Sequence, residues 1–283
     1  MMTLRELRVK GNNILKDNSV EDSAFDSLQL LLRAFSLTAD EFYFSDNRIV
    51  TDEEADVFLG FISRRVNGEP LQYILGKWDF YESSFFVGEG VLIPRPETEE
   101  LVEMCINAVK ENGYKVVYDL CSGSGCIGLS IAKACPETHC YLFELYDEAL
   151  YFTRKNLAEM QLSNATVIKC DVLSGCFEDI PDCGLLVSNP PYIPHCEIDS
   201  LQKEVRKEPV SALDGGHDGL DFYREIKDKW SHKINEGGFV AFECAENQCD
   251  SIVSLFSEAF DCSGKTDAFG LDRFVTGIKL RKV

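Results

Sequence analysis

Lys115-Val116-Val117-Tyr118-Asp119-Leu120-Cys121-Ser122-Gly123-Ser124-Gly125-Cys126-Ile127-Gly128 decides the architecture of this chain. The run up to Leu120 reads as a buried strand, the glycines as a turn, and the residues from Ile127 to Ala134 as a helix. Gly123, Gly125 and Gly128 fit G-x-G-x-x-G. Glycines at such a turn let the backbone approach a ligand with no Cβ in the way. Taken alone, the pattern leaves a dinucleotide site open.

Outward from this turn the pattern alternates. Strand-like Cys140–Phe143 ends at Glu144, and a helix is expected over Glu148–Met160. Thr166–Lys169 leads to Cys170-Asp171, and Leu185–Val187 leads to Ser188-Asn189-Pro190-Pro191-Tyr192. A helix over Asp221–Lys233, strand Phe239–Glu243, a helix near Ser251–Phe260 and strand Arg273–Ile278 follow. Alternating strands and helices mean an α/β fold with a mostly parallel sheet covered on both faces. Ligands of such sheets sit at the carboxyl ends of the strands. The glycine turn, Glu144, Asp171 and Asn189 all lie there.

Residues 1–75 read instead as a small helical bundle. Thr38-Ala39-Asp40-Glu41 and Thr51-Asp52-Glu53-Glu54 are capping boxes. Ser19 is expected to cap a helix with Phe25, Leu28, Leu31, Leu32 and Phe35 on its apolar stripe. Residues 76–93, rich in aromatics around Glu82-Ser83-Ser84, suggest a β-hairpin linker to a domain over 94–283.

The charge is −20, from 48 acidic and 28 basic residues. Such a chain repels phosphate backbones, and no Lys/Arg cluster suggests a local groove. No apolar run approaches the ~20 residues that span a bilayer, and Met1–Glu6 carries no signal-peptide pattern. The twelve cysteines include no C-x-x-C pair. They are expected to be reduced, partly buried thiols of a cytosolic protein, not disulfides. The four histidines are scattered, so no metal site is expected.

The corner after Val187 is unusual. Neither Pro190 nor Pro191 can donate to a sheet ladder, and each holds the residue before it extended. A stiff corner results, with an Asn amide ahead of it and a Tyr ring behind. Near the first turn, an acid at Asp119 is unwelcome beside a pyrophosphate. It is useful beside a ligand bearing an ammonium and a sulfonium. Glu144, nineteen residues after Gly125, is placed to accept from two ribose hydroxyls.

Asp119-x-x-x-Gly123-x-Gly125 resembles the motif by which class I methyltransferases bind S-adenosylmethionine. The resemblance implies a Rossmann-like domain with a mostly parallel seven-stranded sheet. It also implies a cofactor set of Asp119, Cys121, Ser122, Gly123, Ser124, Gly125, Glu144, Asp171, Val172 and Asn189. Asp119 and the turn would face the methionine end, Glu144 the ribose, Asp171 the adenine amino group and Val172 the adenine ring. Cys121 stands where that family usually has Gly. S-adenosylhomocysteine would be the product.

Asn189-Pro190-Pro191-Tyr192 resembles the signature of methyltransferases that modify a planar NH₂ group. The Asn189 side-chain oxygen and the Pro190 carbonyl can accept that group's two N–H bonds, holding the lone pair toward the donor methyl. Tyr192 can stack on the planar group. Asn189, Pro190 and Tyr192 are thus the catalytic candidates, and Asn189 through Tyr192 the substrate-binding ones.

From about Glu69 onward the chain is similar to the release factor glutamine methyltransferases. Leu92-Ile93-Pro94-Arg95-Pro96-Glu97-Thr98-Glu99, Arg206-x-Glu208-Pro209, Ala212–Leu220, Tyr223-Arg224 and Gly270–Arg273 carry the likeness. It implies transfer of a methyl group from S-adenosylmethionine to the glutamine amide of the Gly-Gly-Gln motif in peptide-chain release factors. The bundle would grip that protein substrate, with no direct nucleic acid or membrane partner, in a cytoplasmic monomer. Arg95, between two prolines, is expected to pair with a carboxylate. One alternative is a methyltransferase of adenine N6 or guanine N2 in nucleic acid, disfavoured by the charge. Another is a non-catalytic adenosine-binding regulatory module.

Overall fold

A computed structural model describes residues 2–176 and 180–281. Two compact units emerge: Met1–Lys77 with Gln202–Lys207, and Trp78–Leu201 with Glu208–Val283.

In the first unit, β1 (Met2–Thr3) precedes α1 (Leu4–Asp17), α2 (Ser23–Phe35) and α3 (Ala39–Ser45). β2 (Ile49–Val50), antiparallel to β1, precedes α4 (Asp52–Val66) and α5 (Leu71–Leu75). Thr38 and Thr51 form the expected capping boxes with Glu41 and Glu54, and Thr3 forms a third with Glu6. Each box satisfies two backbone donors that a helix start otherwise leaves open. Ser19 does not cap α2. It lies just beyond α1 with φ 61°, and α2 starts after Asp22. Phe25 is 48% exposed; Leu31 of the expected stripe is buried, joined by Leu30. The buried Asp26 accepts from Arg65 Nε at 2.6 Å, and Arg65 Nη1 lies 2.7 Å from Glu204.

The second unit opens with a hairpin of β3 (Lys77–Phe80) and β4 (Ser83–Phe86). Phe80 and Phe85 are buried with Leu101, Val102 and Ile127 in the core of this unit. The hairpin therefore packs its aromatic side chains into the larger unit's core. Then come α6 (Thr98–Asn112), β5 (Val116–Leu120), α7 (Cys126–Ala134), β6 (His139–Glu144), α8 (Asp147–Met160), β7 (Ala165–Lys169) and β8 (Cys183–Ser188). α9 (Asp221–Trp230), β9 (Ile234–Glu243), α10 (Cys249–Phe256), β10 (Phe260–Thr266) and β11 (Asp272–Lys279) complete it.

The seven strands are ordered β10-β11-β9-β8-β5-β6-β7. β9, β8, β5, β6 and β7 are parallel neighbours, and β11 runs antiparallel to β9 and β10. One face buries Leu101, Val102, Ile127 and Leu129; the other buries Tyr118, Phe143, Tyr223 and Trp230. Trp230 meets Phe143 and Tyr118 edge-on, pairs that add about 0.5–1.5 kcal/mol each beyond area burial. From β5 the chain steps outward to β6 and β7, then returns to β8 on the opposite side. Ligands gather where the strand order reverses in this way.

Candidate active site

β5 delivers the glycine turn to that reversal point. Gly125, with φ 80°, precedes α7. Two side chains of α8 pin the turn: Thr153 Oγ1 donates to the Gly123 carbonyl at 2.6 Å and Asn156 Nδ2 to the Ser124 carbonyl at 2.9 Å. Cys121 sits in the left-handed region at φ 58°, which disfavours a residue with a Cβ. Burial keeps its thiol well above the ordinary range, with Glu144 and Asp119 acting in the same direction. It therefore presents a neutral wall.

The turn opens on a cavity of about 920 Å³, solvent mouth included, a size that suits a nucleoside-bearing ligand. Cys121, Ser122, Gly123, Ser124, Glu144, Asp171, Val172 and Asn189 all line it. Gly125 does not, and Pro191 lines it in place of Pro190 and Tyr192. Pro190 is buried and Tyr192 half-buried against the core. Val91, Pro94, Thr98, Tyr146, Ala212 and Phe222 also reach the cavity. None of them carries a distinctive spacing of its own, although Pro94, Thr98 and Ala212 fall in the stretches that carry the family likeness.

Asp119 departs from expectation. It is fully buried and absent from the cavity lining. Its Oδ2 accepts the Gly128 N–H at 2.9 Å, so it ties the strand end to the first turn of α7. Oδ1 has no hydrogen-bond partner among the described residues. Burial pushes this carboxyl up to about 7, against the Gly128 bond and with help from Glu144.

Glu144 does face the cavity. Oε2 accepts the Gly123 N–H at 2.9 Å, and Oε1 accepts those of Leu145 and Tyr146 at 2.8 and 3.0 Å. Oε1 is saturated by its two donors, and Oε2 keeps capacity for a ligand hydroxyl. Burial raises its pKa while the three backbone donors oppose the rise. Ser122 Oγ beside it is buried with no hydrogen-bond partner among the described residues. A buried polar atom left unpaired is costly, and a polar ligand in the cavity would relieve it.

On the far side, Asp171 accepts from Leu173 N–H and Ser174 Oγ, and Trp230 Nε1 holds the Val172 carbonyl at 2.9 Å. The flanking cysteines are not free thiols. Cys170 and Cys176 form a disulfide, with Cα atoms 6.0 Å apart. This corrects the expectation of reduced cysteines throughout. The connection after β7 folds back within bridging distance, which a scan for C-x-x-C does not detect.

The Asn-Pro-Pro-Tyr corner is strapped from behind. Ile193 N–H donates to the Leu213 carbonyl and Gly215 N–H to the Ile193 carbonyl, both at 2.9 Å. Gly215 packs so closely on Pro191 and Tyr192 that a Cβ would lie 2.7 Å from the Tyr192 Cα. In front, Asn189 Nδ2 donates to Thr98 Oγ1 at 3.4 Å, and Thr98 Oγ1 donates to Glu243 Oε2 at 2.7 Å. The carboxylate that Arg95 was expected to find is Glu208, which also accepts the Ile93 N–H at 3.0 Å.

Residues 6–76 match the family model described as PrmC N-terminal domain, and residues 99–216 that described as Methyltransferase small domain. A release factor glutamine methyltransferase of Clostridium botulinum is 34% identical, over 91% of this chain and 92% of its own. That of Geobacter sulfurreducens is 35% identical, over 97% and 96%. The chain belongs to the release factor glutamine methyltransferase family. Among solved structures, the hMettl16 catalytic domain with the MAT2A 3'UTR hairpin 6 superposes with a TM-score of 0.57. It covers 82% of this chain and 83% of that one, at 12% identity, a likeness of fold alone. Within the family, the cavity between the glycine turn and the Asn189 corner is the candidate methyl-transfer site. No helix among the described residues is long and apolar enough to cross a membrane.

Proposed function

We propose that this protein transfers a methyl group from S-adenosylmethionine to the side-chain amide of the glutamine in the Gly-Gly-Gln motif of peptide-chain release factors, in the cytoplasm. The observation that carries the reading is one cavity lined both by the glycine turn with Glu144 and by Asn189. On this reading a donor site and a planar-amide site share one wall.

The residues present fit the donor. The remaining acceptor site on Glu144 Oε2 suits a ribose hydroxyl, Ser122 Oγ, without a partner among the described residues, suits a further polar group, and Val172 offers an apolar surface to adenine beside Asp171. Asp119 contributes from behind the wall by fixing the turn through Gly128. When bound, S-adenosylmethionine supplies an electrophilic methyl group.

The chain's own task is to make a poor nucleophile reactive. An amide nitrogen delocalises its lone pair into the carbonyl. Two fixed acceptors, Asn189 Oδ1 and the Pro190 carbonyl, hold its N–H bonds and favour a pyramidal nitrogen. Positioning and preorganised hydrogen bonding provide the acceleration. The stiff prolines and the Gly215 strap keep those acceptors from drifting. Tyr192 sits behind the corner and supports it. The Met1–Lys77 unit would hold the release factor, and the acidic surface suits a protein substrate better than nucleic acid.

The test is incubation with a purified release factor and S-adenosylmethionine, followed by mass spectrometry of the Gly-Gly-Gln peptide. One added methyl on the glutamine is expected, and its loss in Asn189→Ala with cofactor binding retained. An unmethylated peptide alongside a methylated nucleic acid would reverse the reading.

A further inference from the structure

Glu243 ends β9, is 1% exposed and is absent from the cavity lining. It is linked to Asn189 through the Thr98 hydroxyl, and the Asn189 amide also lies close enough to bear on it directly. Thr98 has a single hydroxyl proton, and that proton goes to Glu243 Oε2 at 2.7 Å. The Thr98 oxygen can then only accept, and what it accepts is an N–H from Asn189 Nδ2 at 3.4 Å. An amide whose nitrogen turns toward Thr98 must turn its oxygen the other way.

We infer that Glu243, acting through Thr98, is the positioning residue that orients the Asn189 amide so that Oδ1, not Nδ2, faces the substrate. The inference rests on the reading of Asn189 as an acceptor for the glutamine amide. With Nδ2 in that place, donor would meet donor, and the substrate N–H would have no partner. Buried carboxylates are costly, so a deeply buried acid aimed at the back of the site calls for a role. The relay supplies one.

The relay has a direction only while Glu243 is ionised. Protonated, it donates to Thr98, the Thr98 proton is released toward Asn189, and the amide answers with its oxygen. Burial pushes this carboxyl up to about 7, with Glu97 in the same direction and Thr98, Arg273 and Asn189 opposing. The other titratable groups facing it are Tyr192 of the corner, Tyr223 of α9, Cys126 of α7 and Cys244 after β9. Turnover therefore falls as pH drops through the Glu243 transition.

The experiment compares wild type, Glu243→Gln, Thr98→Val and Thr98→Ser on an intact release factor from about pH 6 to about 9. Circular dichroism melts establish folding, and titration calorimetry gives cofactor affinity. Wild-type kcat should show an acidic limb. Glu243→Gln, which keeps a carbonyl acceptor and cannot titrate, should lose that limb. Thr98→Val should lower kcat at least about tenfold, with KM and cofactor affinity within about twofold. Thr98→Ser, which restores the hydroxyl, should recover most of that loss. The side-chain amide protons of Asn189, assigned by their absence in Asn189→Ala, should shift with pH in wild type and not in Thr98→Val. An unchanged acidic limb in Glu243→Gln, or near-wild-type kcat in folded Thr98→Val, overturns the proposal. Failure of the underlying reading looks different. There the wild type leaves the Gly-Gly-Gln peptide unmethylated, and the proposal falls with it.

Discussion

Gly219 lies so close to Tyr192 that a Cβ on it would sit 2.2 Å from the Tyr192 carbonyl oxygen. Gln248 Nε2 donates to that same oxygen at 2.9 Å. The glycine-rich stretch over residues 214–219 thus presses on the backbone of the corner. Gly219 also has φ +76°, which alone costs a residue with a Cβ about 1–2 kcal/mol. Gly219→Ala should destabilise by about 2–4 kcal/mol in chemical denaturation, strain and overpacking together. It should lower kcat more than cofactor affinity, because what moves is the acceptor pair.

At Cys121 the argument runs in reverse. A side chain occupies a left-handed position at the cavity wall. Replacing it with glycine relieves about 1–2 kcal/mol of strain and returns about 0.5–1 kcal/mol to the unfolded chain. Cys121→Gly should be more stable by about 0.5–1 kcal/mol, seen as a higher melting temperature. Loss of stability would show that the thiol packing outweighs the strain.

Glu208 joins two loops of the larger unit. It accepts from the Arg95 guanidinium and from the Ile93 N–H, and it is itself buried. Glu208→Ala leaves a partly buried cation and a buried N–H unpaired. A loss of about 2–4 kcal/mol in urea denaturation is expected. Glu208→Gln, which still accepts from Ile93, should lose less.

Much of this was legible in the chain. The parallel core of the sheet followed from short β-rich runs between helical periods, and the rim from glycine, Glu144 and Asn189 at the strand ends. β10 was missed. Phe260-Asp261-Cys262-Ser263-Gly264-Lys265-Thr266 is a polar, mostly exposed edge strand, and it owes its shape to pairing with β11. Asp119 was legible as an acid beside the turn, but not as one that faces the helix backbone. Direction within a strand end depends on how β5 meets α7. The Thr98–Glu243 link escaped for a related reason, since 145 positions separate its members.

Two buried acids give the protein an unusual pH response. Asp119 and Glu243 are each held near 7 when folded, whereas in the unfolded chain they titrate near 4. Their folded pKa is raised, so their contribution is fully present below about pH 4 and is lost as pH rises toward about 7. The slope is about 1.4 kcal/mol per pH unit for each group in that window. Asp119→Asn cannot titrate and should flatten that decline, as read from urea midpoints at a series of pH values. A decline as steep in Asp119→Asn as in wild type would place the burden elsewhere.

The Cys170–Cys176 bridge closes a ring around Asp171 and Val172, the very residues offered to the adenine end of the donor. Part of the cavity wall is thus shaped by a bond that electrons can open. Where thiols are kept reduced, the segment keeps its hydrogen bonds from Trp230 to Val172, from Lys229 to Leu173 and within the Asp171 turn, but loses the covalent closure. Preparations made with and without a reducing agent therefore differ, at this wall, in one covalent constraint.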